Sequence, residues 1–302
     1  MKIAVILTCH NRKAKTLSCL DSLFLSRDKY NEPAEEKIEL SVFLTDDGCT
    51  DGTIDAVRTN FSSEDITILQ GDGNLFWAKG MIAAWEAAMA HSKDWRFYLL
   101  VNDDTIMLPN LFDELISTHK FCLNTYQRAG IYSGVTCTMD DSTKMSYGGD
   151  LWVDGKYSKH IRLLPTGIPQ MCDMTNANIL MIDKGVVNEI GIFYPYRHGR
   201  ADNDYTIQAR KYGIPVLITG HFCGKCDNDH NSVLRTRQEF VKMTLKQRMQ
   251  YFKSPLHSTA DTLTFTRRNM PSRYLFVLIG RMIDLFFPRI YTLFLKIRGQ
   301  ID

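Results

Sequence analysis

The sequence predicts an α/β fold, a mixed sheet flanked by helices and followed by a C-terminal helical extension. Three observations carry it. Strand-like and helix-like segments alternate through the first 125 residues, turn-rich short strands follow, and the acidic and glycine-rich motifs fall just after strands. In order, Lys2–Thr8 is a β-branched apolar run, and Ala14–Ser26 has helical spacing through Leu17, Leu20, Leu23 and Phe24. Glu39–Thr45 is the next strand and Thr53–Thr59 opens a helix. Ile66–Gln70 is a third strand, and the alanine-rich Met81–His91 a helix. Trp95–Val101 is a fourth strand, and Pro109 stands near the start of a helix from Asn110 to Leu123. Such alternation implies parallel strands joined by right-handed crossovers, with ligands beyond the strands' carboxyl ends.

After Gly130 the pattern changes. Ile131–Thr138 and Lys144–Lys156 read as strands with turns at Asp140-Asp141, Gly148-Gly149 and Asp154-Gly155. Asn178–Asp183 is a buried strand, Ala201–Tyr212 a helix closed by Gly213, and Val216–Thr219 a strand. Residues 1–230 therefore read as one α/β domain whose pattern changes after about residue 125. Residues 231–302 read as a basic helical extension.

With 44% hydrophobic and 23% charged residues in 302, the chain excludes disorder, collagen-like repeats and a polytopic membrane protein. The net charge of +2 conceals an asymmetry. Arg235–Asp302 holds 13 Lys/Arg against 4 Asp/Glu, whereas residues 1–234 hold 23 against 30. A basic tail favours anionic partners such as phospholipid head groups. Aromatic residues do not interleave with the basic ones in a groove-like pattern, so no nucleic-acid partner is expected. Ile3–Leu7 is too short for a signal-peptide core, which places the protein in the cytoplasm.

Four constellations can carry chemistry. Thr45-Asp46-Asp47-Gly48-Cys49-Thr50-Asp51-Gly52-Thr53 reads as a turn that caps the next helix, or as a loop whose carboxylates accept from a base N–H and ribose hydroxyls. A cap needs one carboxylate and this loop has three. Asn102-Asp103-Asp104 delivers two adjacent carboxylates, which repel unless a cation stands beside them; oxygen ligands of this kind suit Mg²⁺ or Mn²⁺. Gly71-Asp72-Gly73-Asn74-Leu75-Phe76-Trp77-Ala78-Lys79-Gly80 lets backbone approach an anion, or is a plain loop. It fits neither GxGxxG nor GxxxxGK[ST]. In Arg200-Ala201-Asp202-Asn203-Asp204, the carboxylates at i and i+2 diverge on a helix, so one can face a pocket as a general base while the other caps or pairs.

Together these segments resemble a family 2 glycosyltransferase of GT-A fold, rhamnosyltransferase-like, over residues 1–225. Val5–Arg12 is similar to that family's first strand and loop, and Asp46–Thr53 to its nucleoside-binding loop, with Cys49 where Ser is usual. Asn102-Asp103-Asp104 resembles its DxD metal site, and Ala201–Asp204 its ED-x-D segment, with Ala in place of Glu. The resemblance implies a catalytic domain over residues 1–230, with a nucleotide-binding half (1–125) and an acceptor half (126–230), and an inverting transfer from a nucleotide-diphosphate sugar (UDP or dTDP type) to a glycan or lipid-linked acceptor, assisted by Mn²⁺ or Mg²⁺. It assigns Asp202 as catalytic base and Asp104 as metal ligand, with His221 a further ligand. It assigns Thr8, Asn11, Arg12, Asp46, Asp47, Gly73, Asn74, Trp77, Lys79, Asn102 and Asp103 to the donor. A nucleotidyltransferase would need a Gly-rich basic triphosphate grip that is absent. Asn102 and Ala201 leave open an inactive carbohydrate-binding or scaffold relative.

Two features lie outside those motifs. Cys223-Gly224-Lys225-Cys226 with Asp227, Asp229 and His230 offers at most three zinc ligands of the usual kind. Tyr274–Leu295 is long enough to span a membrane, but Arg281, Asp284 and Arg289 outweigh its apolar residues and Pro288 interrupts it. On a helical wheel Arg281, Asp284, Pro288, Thr292 and Lys296 share one stripe, leaving a wide apolar face. That face either covers the protein's own core or lies on an anionic membrane, peripherally on its inner surface.

Overall fold

The computed structural model describes residues 1–62, 65–153, 159–227 and 233–298. The Asp154-Gly155 turn, Asp229 and His230 lie outside the described residues. The chain divides into two compact units, Met1–Asp227 and Asn228–Asp302.

In the first unit the elements run β1 (Lys2–Cys9), α1 (Lys13–Asn31), β2 (Glu39–Asp46), α2 (Thr53–Asn60), β3 (Ile66–Gln70), α3 (Phe76–His91), β4 (Phe97–Val101), β5 (Ile106–Met107) and α4 (Leu111–Tyr126). They continue as β6 (Ile131–Cys137), β7 (Met145–Tyr147), β8 (Gly149–Trp152), β9 (His160–Arg162), β10 (Gln170–Met171), β11 (Met174–Thr175), β12 (Ile179–Asp183), α5 (Lys184–Ile190), α6 (Ala201–Lys211) and β13 (Val216–Lys225). The main sheet has the order β10-β13-β6-β12-β4-β1-β2-β3. β4, β1, β2 and β3 are mutually parallel, as the alternation predicts. β12 runs antiparallel to both β4 and β6 and makes the sheet mixed.

β1 reads as an unbroken apolar run because both its faces are covered. Ile3, Val5 and Leu7 join Leu20 and Leu23 of α1 and Leu111, Phe112 and Leu115 of α4 in one core. The alternate residues lie under α3, which packs on β1 and β2 with Ala78, Gly80, Met81, Ala84 and Ala88 buried. Trp85 of α3 meets Tyr98 of β4 and Tyr205 of α6, so α6 shares that face.

Two expectations are corrected. α3 begins at Phe76 rather than Met81, because Asp47, distant in sequence, supplies its N-terminal acceptor: the Leu75 and Phe76 amides donate to that carboxylate at 3.2 and 2.9 Å. β13 extends through Lys225 rather than ending at Thr219, paired with β6 and β5 and with register shifts between Ile218 and Gly224.

α3 approaches β1 closely at one point. A Cβ on Gly80 would lie 2.3 Å from Thr8 Oγ1 and 3.0 Å from Thr8 Cβ, while the Gly80 carbonyl accepts Thr45 Oγ1 at 2.8 Å. Thr8 is buried and β-branched and has little room to turn. Gly80→Ala is therefore expected to destabilise by about 1–3 kcal/mol in denaturant unfolding despite alanine's better helix propensity. A variant as stable as the wild type would mean that α3 lifts off freely.

Candidate active site

The parallel strands end together. Thr8 pairs with Thr45 and Cys9 with Asp46 across β1 and β2, and Asp46 with Gln70 across β2 and β3. The loops that leave these ends surround a cleft of about 270 Å³, lined by Thr8, Cys9, His10, Arg12, Asp47, Gly73, Phe76, Trp77, Asp103 and His198. It lies just below the usual range for ligand sites.

Each of the three carboxylates after β2 holds backbone. Asp46 Oδ1 accepts the Cys49 amide at 2.7 Å, and Gly48, at φ +73°, turns the chain there. Asp47 Oδ1 accepts the Gly73 amide at 2.9 Å as well as that of Leu75. Asp51 accepts the amides of Lys13 and Thr53, both at 3.0 Å. Asn11, at φ +51°, accepts the Thr50 amide at 2.7 Å through Oδ1. All three acids thus hold backbone, Asp46 within its own turn, Asp51 at the start of α2 and Asp47 across at the start of α3, and these bonds set the shape of the cleft wall.

β4 carries the second acidic group. The Asn102 Oδ1 accepts Trp77 Nε1–H at 2.8 Å, tying this segment to the start of α3. Arg12 Nη1 donates to Asp103 Oδ1 at 3.2 Å and to Asp104 Oδ2 at 2.9 Å, and Lys15 Nζ stands 4.0 Å from Asp104. The cation that two adjacent carboxylates demand is thus supplied in part by the chain itself. Asp103 also accepts Thr16 Oγ1–H at 3.3 Å. Even so, burial pushes its carboxyl up to about 6, with Arg12 pulling against burial and Asp104 adding to it. The pair's hard oxygen donors are of the kind that fits a divalent ion such as Mg²⁺ or Mn²⁺.

Asp202 stands at the N-terminal end of α6. Its Oδ1 accepts the Asn203 amide at 2.8 Å and its Oδ2 the Ala177 amide at 3.2 Å. Burial raises its carboxyl above the ordinary carboxylate value, against those amides. Its neighbour Asp204 is buried, and neither carboxylate is among the residues that line the cleft. Asn178, next to Ala177, gives its carbonyl to the Asn102 amide at 3.2 Å and its side-chain amide to Cys226 Sγ at 3.5 Å; Cys226 in turn approaches Asp104 Oδ1 at 3.7 Å. The two acidic segments therefore meet on Ala177-Asn178.

Other expected residues fall elsewhere. His221 lies within β13, with its Nδ1 at 2.8 Å from Glu114 Oε1 on α4. Its imidazole is thus paired with Glu114, five residues before the Cys226 that stands beside Asp104. Asn74 and Lys79 are exposed outside the cleft lining. Cys223 is buried against Thr219, apart from the Asp104 contact that Cys226 makes.

Sequence reasoning missed His10, Phe76 and His198 in the cleft. His10 donates through Nδ1 to the Asp47 carbonyl at 2.6 Å. Phe76 sits at φ +53° and is 39% exposed. His198 Nδ1 accepts the Trp77 amide at 3.3 Å, and burial, with Arg12, lowers its pKa, keeping the ring neutral. His198 comes from an irregular segment with no periodicity to mark it.

The model of the family Glycosyl transferase family 2 matches residues 4–169, more than half the chain, and this protein belongs to that family. Its sheet and flanking helices are those of a GT-A glycosyltransferase. The fold is similar to the crystal structure of S. aureus TarS 1–349, with a TM-score of 0.50 and 15% identity over 96% of this chain and 82% of that one. It is similar also to a crystal structure of S. aureus TarS at TM-score 0.50 and 12% identity, covering 80% of this chain and 39% of that one. No curated protein matches the sequence.

Asp103 makes stability depend on pH. Its folded pKa lies above the unfolded value, so its contribution is fully present below about 4 and is lost as pH rises through about 6. In thermal unfolding without added metal, the wild type is expected to lose on the order of 2 kcal/mol relative to Asp103→Asn between those limits. Parallel profiles would show Asp103 ionised throughout.

Proposed function

We propose that the protein is an inverting, metal-dependent glycosyltransferase. It moves a hexosyl or rhamnosyl group from a UDP- or dTDP-type nucleotide-diphosphate sugar to a hydroxyl of a glycan or lipid-linked acceptor in surface polysaccharide synthesis. The observation that carries this reading is the meeting of Asp202 and the Asn102–Asp104 segment on Ala177-Asn178, at the carboxyl rim beside the cleft. Residues 1–125 serve the nucleotide and 126–230 the acceptor.

In this reading Thr8, Asn11, Arg12, Asp46, Asp47, Gly73, Asn74, Trp77, Lys79, Asn102 and Asp103 form the donor side. The Asp47 and Asn11 bonds hold its loops, Trp77 fixes Asn102, and the Arg12 guanidinium meets the diphosphate charge. Asp202 accepts the acceptor hydroxyl's proton as that oxygen attacks the anomeric carbon from the face opposite the leaving group. Its raised pKa makes it a stronger base than a solvated aspartate. The Ala177 and Asn203 amides keep the carboxylate oriented. Asp104, with Asp103 beside it, would hold Mn²⁺ or Mg²⁺, which when bound neutralises charge on the diphosphate.

Asp202→Asn is expected to cost about 10²–10⁴-fold in kcat with donor affinity nearly unchanged, measured by transfer assay and by nucleotide-sugar binding. Wild-type kcat/KM should fall on the acid side with a midpoint above the ordinary aspartate value. Unchanged turnover would move the base elsewhere. A wild type that turns over no donor would instead be a binding or scaffold protein.

The second unit supports attachment to an anionic membrane surface. Its elements are α7 (Val233–Lys242), α8 (Leu245–Lys253), α9 (Thr259–Asn269), α10 (Tyr274–Phe286) and α11 (Pro288–Ile297). No helix among the described residues is long and apolar enough to cross a membrane. Asp284 is buried in α10 with its Oδ1 2.6 Å from Arg237 Nη2, and Arg281 donates to Thr262 at 3.1 Å. Arg237 also donates to Thr292 at 2.8 Å. The polar stripe thus turns inward from Arg281 to Thr292, with Lys296 exposed at its end, and the apolar one outward: Leu275, Phe276, Ile279, Met282, Phe286, Phe287, Ile290, Leu293 and Ile297 are all exposed. Arg267, Arg289 and Arg298 are exposed with them. Such a face suits the headgroup–acyl boundary. Phe287→Glu with Ile290→Glu should release the protein from vesicles rich in anionic lipid in a flotation assay; equal flotation would rule this attachment out.

A further inference from the structure

The cleft wall holds a donor set of a different kind from the Asp103–Asp104 pair. Cys9 ends β1 opposite Asp46, which ends β2, and paired residues of parallel strands present their side chains on one face. The turn after β2, held by Asp46 Oδ1 on the Cys49 amide, folds Cys49 back over them. The Cys9 and Cys49 sulfurs are 3.7 Å apart, and the two sulfurs and an Asp46 carboxylate oxygen all lie within 4.8 Å of one another. Four ligands around zinc with Zn–S near 2.3 Å place two sulfurs about 3.8 Å apart. The thiols already stand at that separation.

From this geometry we propose that Cys9, Asp46 and Cys49 form a site for a thiophilic divalent cation of the zinc class. The three residues supply three ligands. Cys9 lines the cleft, so the fourth position opens to water or to a ligand there. Two thiolates make the site soft, and it discriminates against Mg²⁺ and Mn²⁺, which prefer all-oxygen surroundings. Both thiols are held above the ordinary cysteine value, chiefly by burial, so they are protonated before binding. Each metal–sulfur bond therefore forms with loss of one proton to solvent, and occupancy releases about two protons per ion. Binding would also fasten the loop from Asp46 to Asp51 and hold the Asp46 carboxylate; that this obstructs the donor rests on the function proposed above, whereas the site itself does not.

The test uses the full chain, reduced, with Cd²⁺ as a spectroscopic substitute for zinc. Titration should develop a sulfur-to-cadmium charge-transfer band that saturates near about one equivalent per chain. Cys9→Ser and Cys49→Ser should each abolish the saturating band, while Cys122→Ser, whose thiol donates to the Arg128 carbonyl instead, should keep it. Calorimetry in buffers of different ionisation enthalpy should report about two protons released by the wild type, a reading that requires no variant to fold. A large excess of Mg²⁺ should leave the band in place. The proposal is overturned if the wild type gives no band, if both serine variants retain it, if fewer than two protons leave, or if Mg²⁺ displaces the ion. A protein that binds Cd²⁺ in this way yet, freed of the ion, transfers no sugar would keep the site and lose the glycosyltransferase reading.

Discussion

The architecture of the cleft depends on how two adjacent carboxylates survive at the end of a buried strand. β4 is covered on both faces and flanked by β1 and β12, so Asp103 and Asp104 leave it in fixed positions with little solvent for Asp103. Mutual repulsion and desolvation both oppose charge there. Arg12, delivered by the loop between β1 and α1, bridges the two and makes the arrangement tolerable at neutral pH. Its guanidinium is rigid and forked, and one nitrogen reaches both acids. Any divalent ion that enters must share these oxygens with Arg12 or displace it, which links the first strand's loop to the chemistry of the fourth.

A second set of bonds gives the opposite wall its shape. Asp47 gathers the Gly73, Leu75 and Phe76 amides, all from the other side of the cleft. Three amides on one carboxylate form a strong, directional anchor, so the start of α3 is set by a residue almost thirty positions away. Trp77 extends the tie to Asn102 and, through its backbone, to His198. Strand end, glycine loop and acidic pair are therefore one hydrogen-bonded body.

This explains which parts of the structure were legible in the sequence. The parallel half is carried by local signals: apolar runs for β1 to β4, helical spacing for α1, and motifs at strand ends. The family resemblance over the first half is likewise matched. What sequence could not provide was the partner of each motif. Nothing local says that Asp47 caps α3 rather than α2, so the helix was expected to begin five residues late. Nothing local says that Glu114 of α4 claims His221, or that the cation beside Asp103 and Asp104 is Arg12. Each of these pairings spans between about thirty and more than one hundred residues and exists only once the sheet is assembled.

The C-terminal unit shows the same logic with the sign reversed. Periodicity located the stripe through Arg281, Asp284, Pro288, Thr292 and Lys296, and in most amphipathic helices such a stripe meets water, as only Lys296 of these plainly does here. Here Asp284 and Pro288 are the buried residues of α10 and α11 among those described, and Arg237 gathers Asp284, Thr292 and the Pro288 carbonyl. A buried ion pair returns little net stability, because desolvation of both charges offsets most of their attraction. It does, however, discriminate strongly between orientations. Rolling the helices to bury Leu275, Ile279 and Ile290 would carry Asp284 into water and leave Arg237 of α7 buried without its partner, at a cost of several kcal/mol. The polar stripe thus specifies which way the helices face, and it specifies an apolar surface turned away from their own core.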